Sequence, residues 1–182
     1  MKFIKQKIEK LYLIKPNLFR DNRGSFRRGF CSKSFFNKNI NFKCVQTNIS
    51  ENLKKGTLRG FHFNRTLKKE SKVISCISGK LFLTIIDLKK KSKTYMKKIY
   101  FNLSSKNKYS VFIPSGCANA FLTLENNTVI YYLMGDYFEK KNDVGFNFKS
   151  KNLNIKWPLK PKIISKKDLM LPDLKIKKEN IN

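Results

Sequence analysis

Residues 72–88 read Lys-Val-Ile-Ser-Cys-Ile-Ser-Gly-Lys-Leu-Phe-Leu-Thr-Ile-Ile-Asp-Leu, two runs rich in β-branched and aromatic side chains around a Gly-Lys step. Such side chains suit the pleated surface of a sheet, and the glycine indicates a tight turn. Similar runs follow along the chain, and those at 118–125 and 128–134 flank Asn126-Asn127, which predicts a two-residue hairpin. Short strands in such numbers predict an all-β sandwich or barrel, and eight or more favour a jelly roll.

The N-terminal half carries weaker signals of the same kind. A strand is predicted over residues 8–16, ended by a proline, and a turn and strand over 17–30. Residues 31–41 have room for a short helix. A further strand is predicted over residues 42–50, where alternation places Gln46, Asn48 and Ser50 on one face.

The C-terminal region is less regular. Residues 149–171 show no clear strand pattern, and the Ser-Lys-Lys-Asp sequence at 165–168 predicts one helical turn. The length of 182 residues fits a single domain, which we expect over residues 1–174. Residues 175–182 form a charged tail that we expect to be disordered.

The charge of this chain is unusually positive, at +28. This charge does not by itself indicate nucleic-acid binding, because the lysines are spread through every segment instead of clustering on one element. Only six of the 40 basic residues are arginines, and all six precede residue 66. Three of them stand directly before a glycine. A positive field of this kind attracts anionic small molecules such as nucleotide diphosphates.

The four cysteines have no metal-ligand spacing, and no signal peptide is recognisable, so we expect reduced thiols and a cytoplasmic protein. No segment has 18 consecutive apolar residues, so no membrane span is predicted. The single histidine excludes a histidine-rich metal site by count.

That single histidine, His62, lies in the stretch Gly-Thr-Leu-Arg-Gly-Phe-His-Phe at residues 56–63. An unperturbed imidazole titrates near neutral pH, which makes His62 the first candidate for a general base. Strict alternation places Arg59 and His62 on opposite faces of a strand. A bulge at Gly60 brings both side chains to one face, because a glycine inside a strand commonly marks a bulge.

Several motifs occur in a fixed order along the chain. They are Asp-Asn-Arg-Gly-Ser-Phe at 21–26, Gln-Thr-Asn at 46–48, Leu-Arg-Gly-Phe-His at 58–62, Lys-Val at 72–73, Ile-Pro-Ser-Gly-Cys-Ala at 113–118, Tyr132, Trp-Pro at 157–158 and Ser-Lys-Lys-Asp at 165–168. The ordered set resembles the dTDP-4-dehydrorhamnose 3,5-epimerase family of nucleotide-sugar epimerases. The resemblance runs from about residue 10 to residue 174 and implies a cupin-type jelly roll and a homodimer that exchanges an N-terminal strand.

The resemblance also implies a reaction that needs neither a metal nor a redox cofactor. The 4-keto group of a nucleotide-linked 6-deoxyhexose acidifies the C3 and C5 protons. His62 matches the base and Asp168 its carboxylate partner. Tyr132 matches the acid on the opposite face, and Lys72 the cation near the enolate oxygen. By the same resemblance, the substrate-binding positions are Phe19, Arg23, Phe26, Gln46, Asn48 and Arg59, with Arg23 and Arg59 on the diphosphate.

Three positions depart from the pattern of the family. Asn119 stands where the family usually has a second histidine of the site, and Arg28 where it usually has a glutamate that helps to hold the nucleoside. Asn64 replaces the usual glutamine. We count Asn119 and Arg28 among the substrate-binding positions, and they leave open which carbons are epimerised and which nucleotide is bound.

Other functions remain compatible with the sequence. A 3,4-ketoisomerase or a single-carbon epimerase would use the same fold, an inactive relative is a further alternative, and a basic jelly roll that binds nucleic acid is the non-enzymatic one. Taken singly, Tyr132 fits a core tyrosine, Asp168 a helix-start residue and Lys72 a surface lysine. The ordered set of motifs, and not any single residue, favours the epimerase.

Overall fold

The computed structural model describes residues 1–68 and 70–174, and its strands and helices follow one another as a chain of short elements. They are β1 (Lys2–Lys5), β2 (Tyr12–Lys15), β3 (Leu18–Asp21), β4 (Gly24–Arg27), α1 (Ser32–Phe36), β5 (Gln46–Asn52), β6 (Thr57–Asn64), β7 (Lys72–Ser78), β8 (Lys80–Asp87), β9 (Lys98–Ser104), β10 (Ser110–Ile113), β11 (Cys117–Thr123), β12 (Thr128–Met134), β13 (Asp143–Gly145), β14 (Ile163–Ile164) and α2 (Lys166–Leu169). In the described part of the chain, the two helices are too short to cross a membrane.

Two sheets face each other and confirm the predicted jelly roll. The first sheet has the strand order β1-β2-β10-β7-β12-β5, and the second has the order β13-β6-β11-β8-β9. Strand β14 adds to β6 in parallel, and the neighbouring pairs along both strand orders are antiparallel. Strands β3 and β4 form a separate hairpin, which we call the β3–β4 hairpin.

The turn at Asn126-Asn127 corrects one prediction. It joins β11 of the second sheet to β12 of the first, so the two strands do not pair with each other as a hairpin. The Gly79 turn likewise carries the chain from β7 in one sheet to β8 in the other. A short polar turn reverses the chain in both arrangements, so turn chemistry alone cannot tell a hairpin from a crossing between stacked sheets.

Three apolar clusters hold these layers together. The largest lies between the two sheets and includes Ile74, Leu83 and Ile130. A second covers the outer face of the second sheet, where the C-terminal segment packs Phe146 and its neighbours against β6 and β11. The third packs α1 and its flanking residues, including Phe35, on the outer face of the first sheet. The segments that flank the strands therefore stabilise the sandwich from outside.

Candidate active site

A cavity of about 160 Å³ opens between the two sheets, at the end where β7 begins and β6 ends. Strands β6 and β11 of the second sheet form one wall, and β7 and β12 of the first sheet form the other. Its lining consists of four apolar or amide side chains and four that can ionise: Arg59, His62, Lys72, Ile74, Asn119, Phe121, Ile130 and Tyr132. Five of the predicted site residues thus meet in one cavity, although they are scattered over 74 positions of the sequence.

A bulge in β6 places two of these side chains on the cavity wall. His62 lies opposite Asn119 and Arg59 lies opposite Phe121, so two residues of β6 face one residue of β11. The predicted bulge at Gly60 is confirmed. Gly60 has a φ of +110°, and a Cβ there would lie 2.7 Å from the Asn119 carbonyl oxygen, so only glycine fits.

The His62 imidazole is held by a buried carboxylate. Its Nε2 lies 2.8 Å from Asp168 Oδ1, and the other Asp168 oxygen accepts a hydrogen bond of 3.0 Å from the Gly60 amide. Helix α2 fixes the carboxylate, because the Ser165 hydroxyl caps the helix by accepting a hydrogen bond from the Asp168 amide. Since Asp168 holds Nε2, Nδ1 is the ring nitrogen that remains for proton transfer with a substrate.

The environment of Asp168 keeps this carboxylate ionised. Burial by itself raises the pKa of Asp168, whose side chain is only 4% exposed. The hydrogen bonds from His62 and the Gly60 amide outweigh burial, so the pKa lies below its ordinary value of 3.8. An ionised carboxylate at this distance favours the protonated form of the neighbouring imidazole.

Tyr132 and Lys72 face His62 from the first sheet. Burial raises the pKa of the Tyr132 phenol, and the nearby Asp143 and Glu70 carboxylates act in the same direction. The Arg59 guanidinium opposes them, and the net shift of the Tyr132 pKa is upward. The phenol is therefore protonated at neutral pH and able to donate.

The predicted face of polar side chains on β5 borders this cavity. Gln46 Nε2 donates to Asn48 Oδ1 at 3.1 Å, and Gln46 Oε1 accepts from the Phe138 amide at 3.0 Å. Asn48 lies directly opposite Tyr132 in the sheet, so both side chains project to the same face. Gln46 and Asn48 thus extend the site from Tyr132 towards the segment that follows β12.

Four predicted substrate-binding residues lie away from the cavity. Phe19, Arg23 and Phe26 belong to the β3–β4 hairpin, where both phenylalanines are about two-thirds exposed, at 64% and 67%. Arg23 pairs with Asp21 at 2.6 Å, and its side chain is 86% exposed. Arg28 lines a separate hollow on the outer face of the first sheet, together with Tyr131. Within one chain, none of these four residues lines the cavity around His62.

A family model for dTDP-4-dehydrorhamnose 3,5-epimerase matches residues 5–175. The chain belongs to this epimerase family. A dTDP-4-dehydrorhamnose 3,5-epimerase of Shigella flexneri is 32% identical over 172 residues, which are 93% of this chain and 93% of the relative.

Solved epimerase structures superpose on nearly all of this chain. The Bacillus anthracis dTDP-4-dehydrorhamnose 3,5-epimerase with TDP and PPi bound has a TM-score of 0.92 at 33% identity, covering 95% of this chain and 99% of its own. A Legionella pneumophila 3,5-epimerase in complex with dTDP-4-keto-L-rhamnose has a TM-score of 0.86 at 28% identity and covers 96% of this chain and 99% of its own.

The structure adds site residues of this epimerase-family chain that the sequence reasoning missed. Asn52 Oδ1 accepts a hydrogen bond of 3.0 Å from Arg59 Nε, and Glu70 Oε1 lies 2.7 Å from Lys72 Nζ. Both had a signal: Asn52 continues the alternation of the polar face of β5, and Glu70 stands two positions before Lys72. Asp143 and Lys167 form an ion pair of 2.6 Å beside the site, and nothing in their spacing of 24 residues indicated it.

One polar atom of the cavity has no partner. Asn119 Oδ1 is buried, and no described atom forms a hydrogen bond with it. An unsatisfied buried acceptor is costly, and a ligand hydroxyl in the cavity would supply the missing donor. Among residues 1–68 and 70–174, no three His, Cys, Asp or Glu side chains are grouped closely enough to hold a metal ion.

Proposed function

We propose that this chain epimerises a dTDP-linked 4-keto-6-deoxyhexose next to its keto group, in the biosynthesis of a rhamnose-like deoxysugar. One observation carries the proposal: a base and an acid stand on opposite walls of one cavity. His62, which is held by Asp168 of α2, projects from the second sheet, and the Tyr132 phenol projects from the first. Epimerisation needs this opposition, because a proton leaves one face of a carbon and another proton returns to the opposite face.

Each step balances without a cofactor. His62 removes the proton from the carbon next to the ketone, and the electron pair of the C–H bond moves to the ketone oxygen as an enolate. Lys72 stabilises the negative charge on that oxygen. Tyr132 then gives its proton to the opposite face of the carbon, which restores the ketone. Solvent returns a proton to Tyr132 and removes one from His62.

The size of the cavity assigns parts of the substrate to parts of the site. A pocket for a complete drug-sized ligand commonly measures about 300–1,000 Å³. The volume of about 160 Å³ here suits the sugar ring alone. Arg59 lines both this cavity and the adjoining groove next to Asp168, which favours a position of the diphosphate across the groove. The nucleoside then extends outside the cavity.

The first test follows protons at the sugar. The chain is incubated in deuterated water with dTDP-4-keto-6-deoxyglucose, and C3 and C5 are monitored by NMR. We expect deuterium to enter at the carbons next to the ketone, and we expect this exchange to be abolished in His62→Ala. Exchange at both carbons supports a double epimerase. A carbonyl that moves to C3 identifies a ketoisomerase, and no exchange with this or other nucleotide sugars contradicts the proposal.

Asn119 favours one alternative, an epimerase restricted to a single carbon. Its amide cannot carry a proton as a histidine can, so a step that needs a second ionisable group at this position is lost. Asn119→His tests this directly in the same deuterium experiment. If the wild type exchanges one carbon and Asn119→His exchanges two, the asparagine limits the reaction. If both exchange the same carbons, Asn119 does not select between them.

We propose further that two copies of the chain form each working enzyme, in the cytoplasm. The outer face of the first sheet exposes Ile49 and Ile77, and Leu53 is exposed just beyond β5. Contiguous apolar side chains on a sheet face favour burial against another protein surface. The hairpin side chains Phe19, Arg23 and Phe26 are away from the cavity of their own chain, which supports a position in the site of the second copy.

A heterodimer made by co-expression tests this assignment. One chain carries Arg23→Ala and the other His62→Ala, each with its own affinity tag, and both homodimers serve as references. Activity is measured at a substrate concentration well below the wild-type KM, where the loss in Arg23→Ala is largest. If each hairpin serves the partner's site, one site of the heterodimer is intact, and we expect about half of the wild-type activity. If each hairpin serves its own site, both sites carry a defect, and the heterodimer has about half of the activity of the Arg23→Ala homodimer. A monomer by light scattering contradicts the dimer itself.

A further inference from the structure

Glu70 is one of the few acidic residues of a strongly basic chain. The chain has 12 acidic side chains against 40 basic ones, so most lysines have no carboxylate to pair with. Glu70 nevertheless pairs with Lys72, the only lysine of the described residues that lines the cavity, with Oε1 2.7 Å from Nζ. The side chains of the pair are only 12% and 15% exposed. The other close lysine–carboxylate pairs of the described residues have a lysine at least 30% exposed.

The backbone around this pair is firmly held. Lys72 begins β7 and lies opposite Met134 of β12. Just outside the strand, the Gly135 amide donates to the Ser71 carbonyl at 2.8 Å. The Glu70 carboxylate meets the Lys72 ammonium across Ser71, just before the strand begins.

The walls next to Lys72 explain why the lysine needs a partner. Ile74, Phe121 and Ile130 line the cavity beside it and offer no hydrogen-bond acceptor. A lysine side chain has a flexible four-carbon stem, and an ammonium beside apolar groups gains by turning towards water. A fixed acceptor at 2.7 Å keeps the ammonium at the cavity wall instead.

We propose that Glu70 is a positioning residue, which holds the Lys72 ammonium where the ketone oxygen of the substrate becomes an enolate. The inference rests on the proposed epimerase reaction. Preorganised charge lowers a barrier because it does not have to reorient as the negative charge develops. Glu70 acts through Lys72 and does not touch the sugar.

The location of Glu70 has a second consequence that agrees with this role. Its charge acts in the same direction as burial and Asp143 in raising the pKa of Tyr132. The Glu70 carboxylate therefore holds the Lys72 ammonium in place and also favours the protonated form of Tyr132 on the same sheet.

The test compares Glu70→Ala, Glu70→Gln and the wild type in steady-state kinetics. We expect Glu70→Ala to lower kcat by about tenfold or more with KM changed by less than about twofold, because the interaction develops in the transition state. Glu70→Gln keeps an amide oxygen that accepts from Nζ, and we expect its kcat to stay within about threefold of wild type. Glu125→Ala removes the same charge from the exposed turn at the far end of the sandwich and serves as the matched control.

A double-mutant cycle with Lys72→Met shows whether Glu70 acts through Lys72. If it does, Glu70→Ala has no further effect on kcat in the Lys72→Met background. A role in folding alone predicts a lower Tm, additive losses of kcat and no rescue by glutamine, and that result overturns the inference. So does a Glu70→Ala variant with wild-type kcat. If the wild-type chain itself shows no exchange at C3 or C5, the proposed reaction fails instead, and the two failures are distinct.

Discussion

The cavity between the sheets and the β3–β4 hairpin both carry predicted site residues, but they hold them in opposite ways. At the cavity, His62 Nε2 lies 2.8 Å from the buried Asp168 of α2, and Lys72 Nζ lies 2.7 Å from Glu70, whose side chain is only 12% exposed. On the hairpin, the only hydrogen-bond partner of the Arg23 guanidinium among the described residues is Asp21 of the same turn, and the Arg23 side chain is 86% exposed. A buried charge network restricts its members to one geometry, whereas an exposed ion pair contributes little and reorients readily.

This difference matches two tasks of the proposed reaction. Proton transfer needs groups that are in place before the substrate arrives, because reorientation would add to the barrier. Binding a flexible diphosphate needs charge but tolerates motion, so its arginines can obtain their order from the ligand or from a second copy. Mutations in the cavity should therefore change kcat, and those on the hairpin should change KM. The following predictions test this division, from the largest expected effect to the smallest.

His62→Gln is expected to have the largest effect. The glutamine amide reaches about as far as the imidazole Nε2 and can still donate a hydrogen bond to Asp168, so the fold is retained, but no base remains in the cavity. We expect kcat to fall by about 10³–10⁴-fold, at the upper end of what general-base catalysis contributes. Rate measurements together with a thermal melt check this. If the variant keeps a tenth of the wild-type kcat, His62 is not the general base.

Asp168→Asn probes the support of the base. We expect kcat to drop by about 10²-fold, because the imidazolium loses its counter-charge. Stability at pH 7 should fall by about 1–3 kcal/mol, the usual cost of disrupting a buried, charged hydrogen-bond partner. Urea unfolding and initial rates measure the two effects.

The pH dependence of stability provides the control for Asp168. Its folded pKa lies below the unfolded value, so its contribution is full above the ordinary value of 3.8 and is lost as pH falls through the folded pKa. The stability gap between wild type and Asp168→Asn should be constant near neutral pH and should shrink below about pH 4. A gap that grows on acidification would contradict the assigned direction of the pKa.

Arg23→Ala tests the hairpin side of the comparison. We expect KM to rise about tenfold with kcat within about threefold and Tm unchanged, because an exposed charge contributes to binding and not to packing. Lys106→Ala removes the same charge from an exposed turn near Gly79, at the end of the sandwich away from the cavity. If Arg23→Ala and Lys106→Ala raise KM equally, Arg23 acts only through the overall positive charge of the protein. A large loss of kcat in Arg23→Ala would contradict the assignment of binding to the hairpin and proton transfer to the cavity.

Asn52→Ala has the smallest expected effect on turnover and falls between the two regions. It removes the acceptor of Arg59 and the donor to the Thr128 carbonyl, and Asn52 is 3% exposed. We expect a loss of stability of about 1–2 kcal/mol and a KM raised by about two- to fivefold, with kcat unchanged. Chemical denaturation and kinetics separate the two. An unchanged KM would show that Arg59 does not need this support.

Local patterns predicted much of the site because some contacts are local. The bulge at Gly60 followed from one glycine in a strand, and the helical turn of α2 followed from the Ser-Lys-Lys-Asp sequence at 165–168. The Asp143–Lys167 pair was missed, since it joins segments that only the packing of the C-terminal region brings together. The predicted hairpin at Asn126-Asn127 was wrong because the same turn chemistry serves a crossing between sheets.

The sequence by itself determined the β-rich jelly roll, the ordered motifs of the epimerase family and the only histidine available as a base. Alternation and turn residues carry that information, since they depend on neighbours within a few positions. The tertiary structure alone decided that His62 and Tyr132 face each other across one cavity, that Asp143 pairs with Lys167, and that the hairpin arginine lies outside the cavity. These placements involve stacked sheets and distant segments, and their geometry depends on how the layers pack.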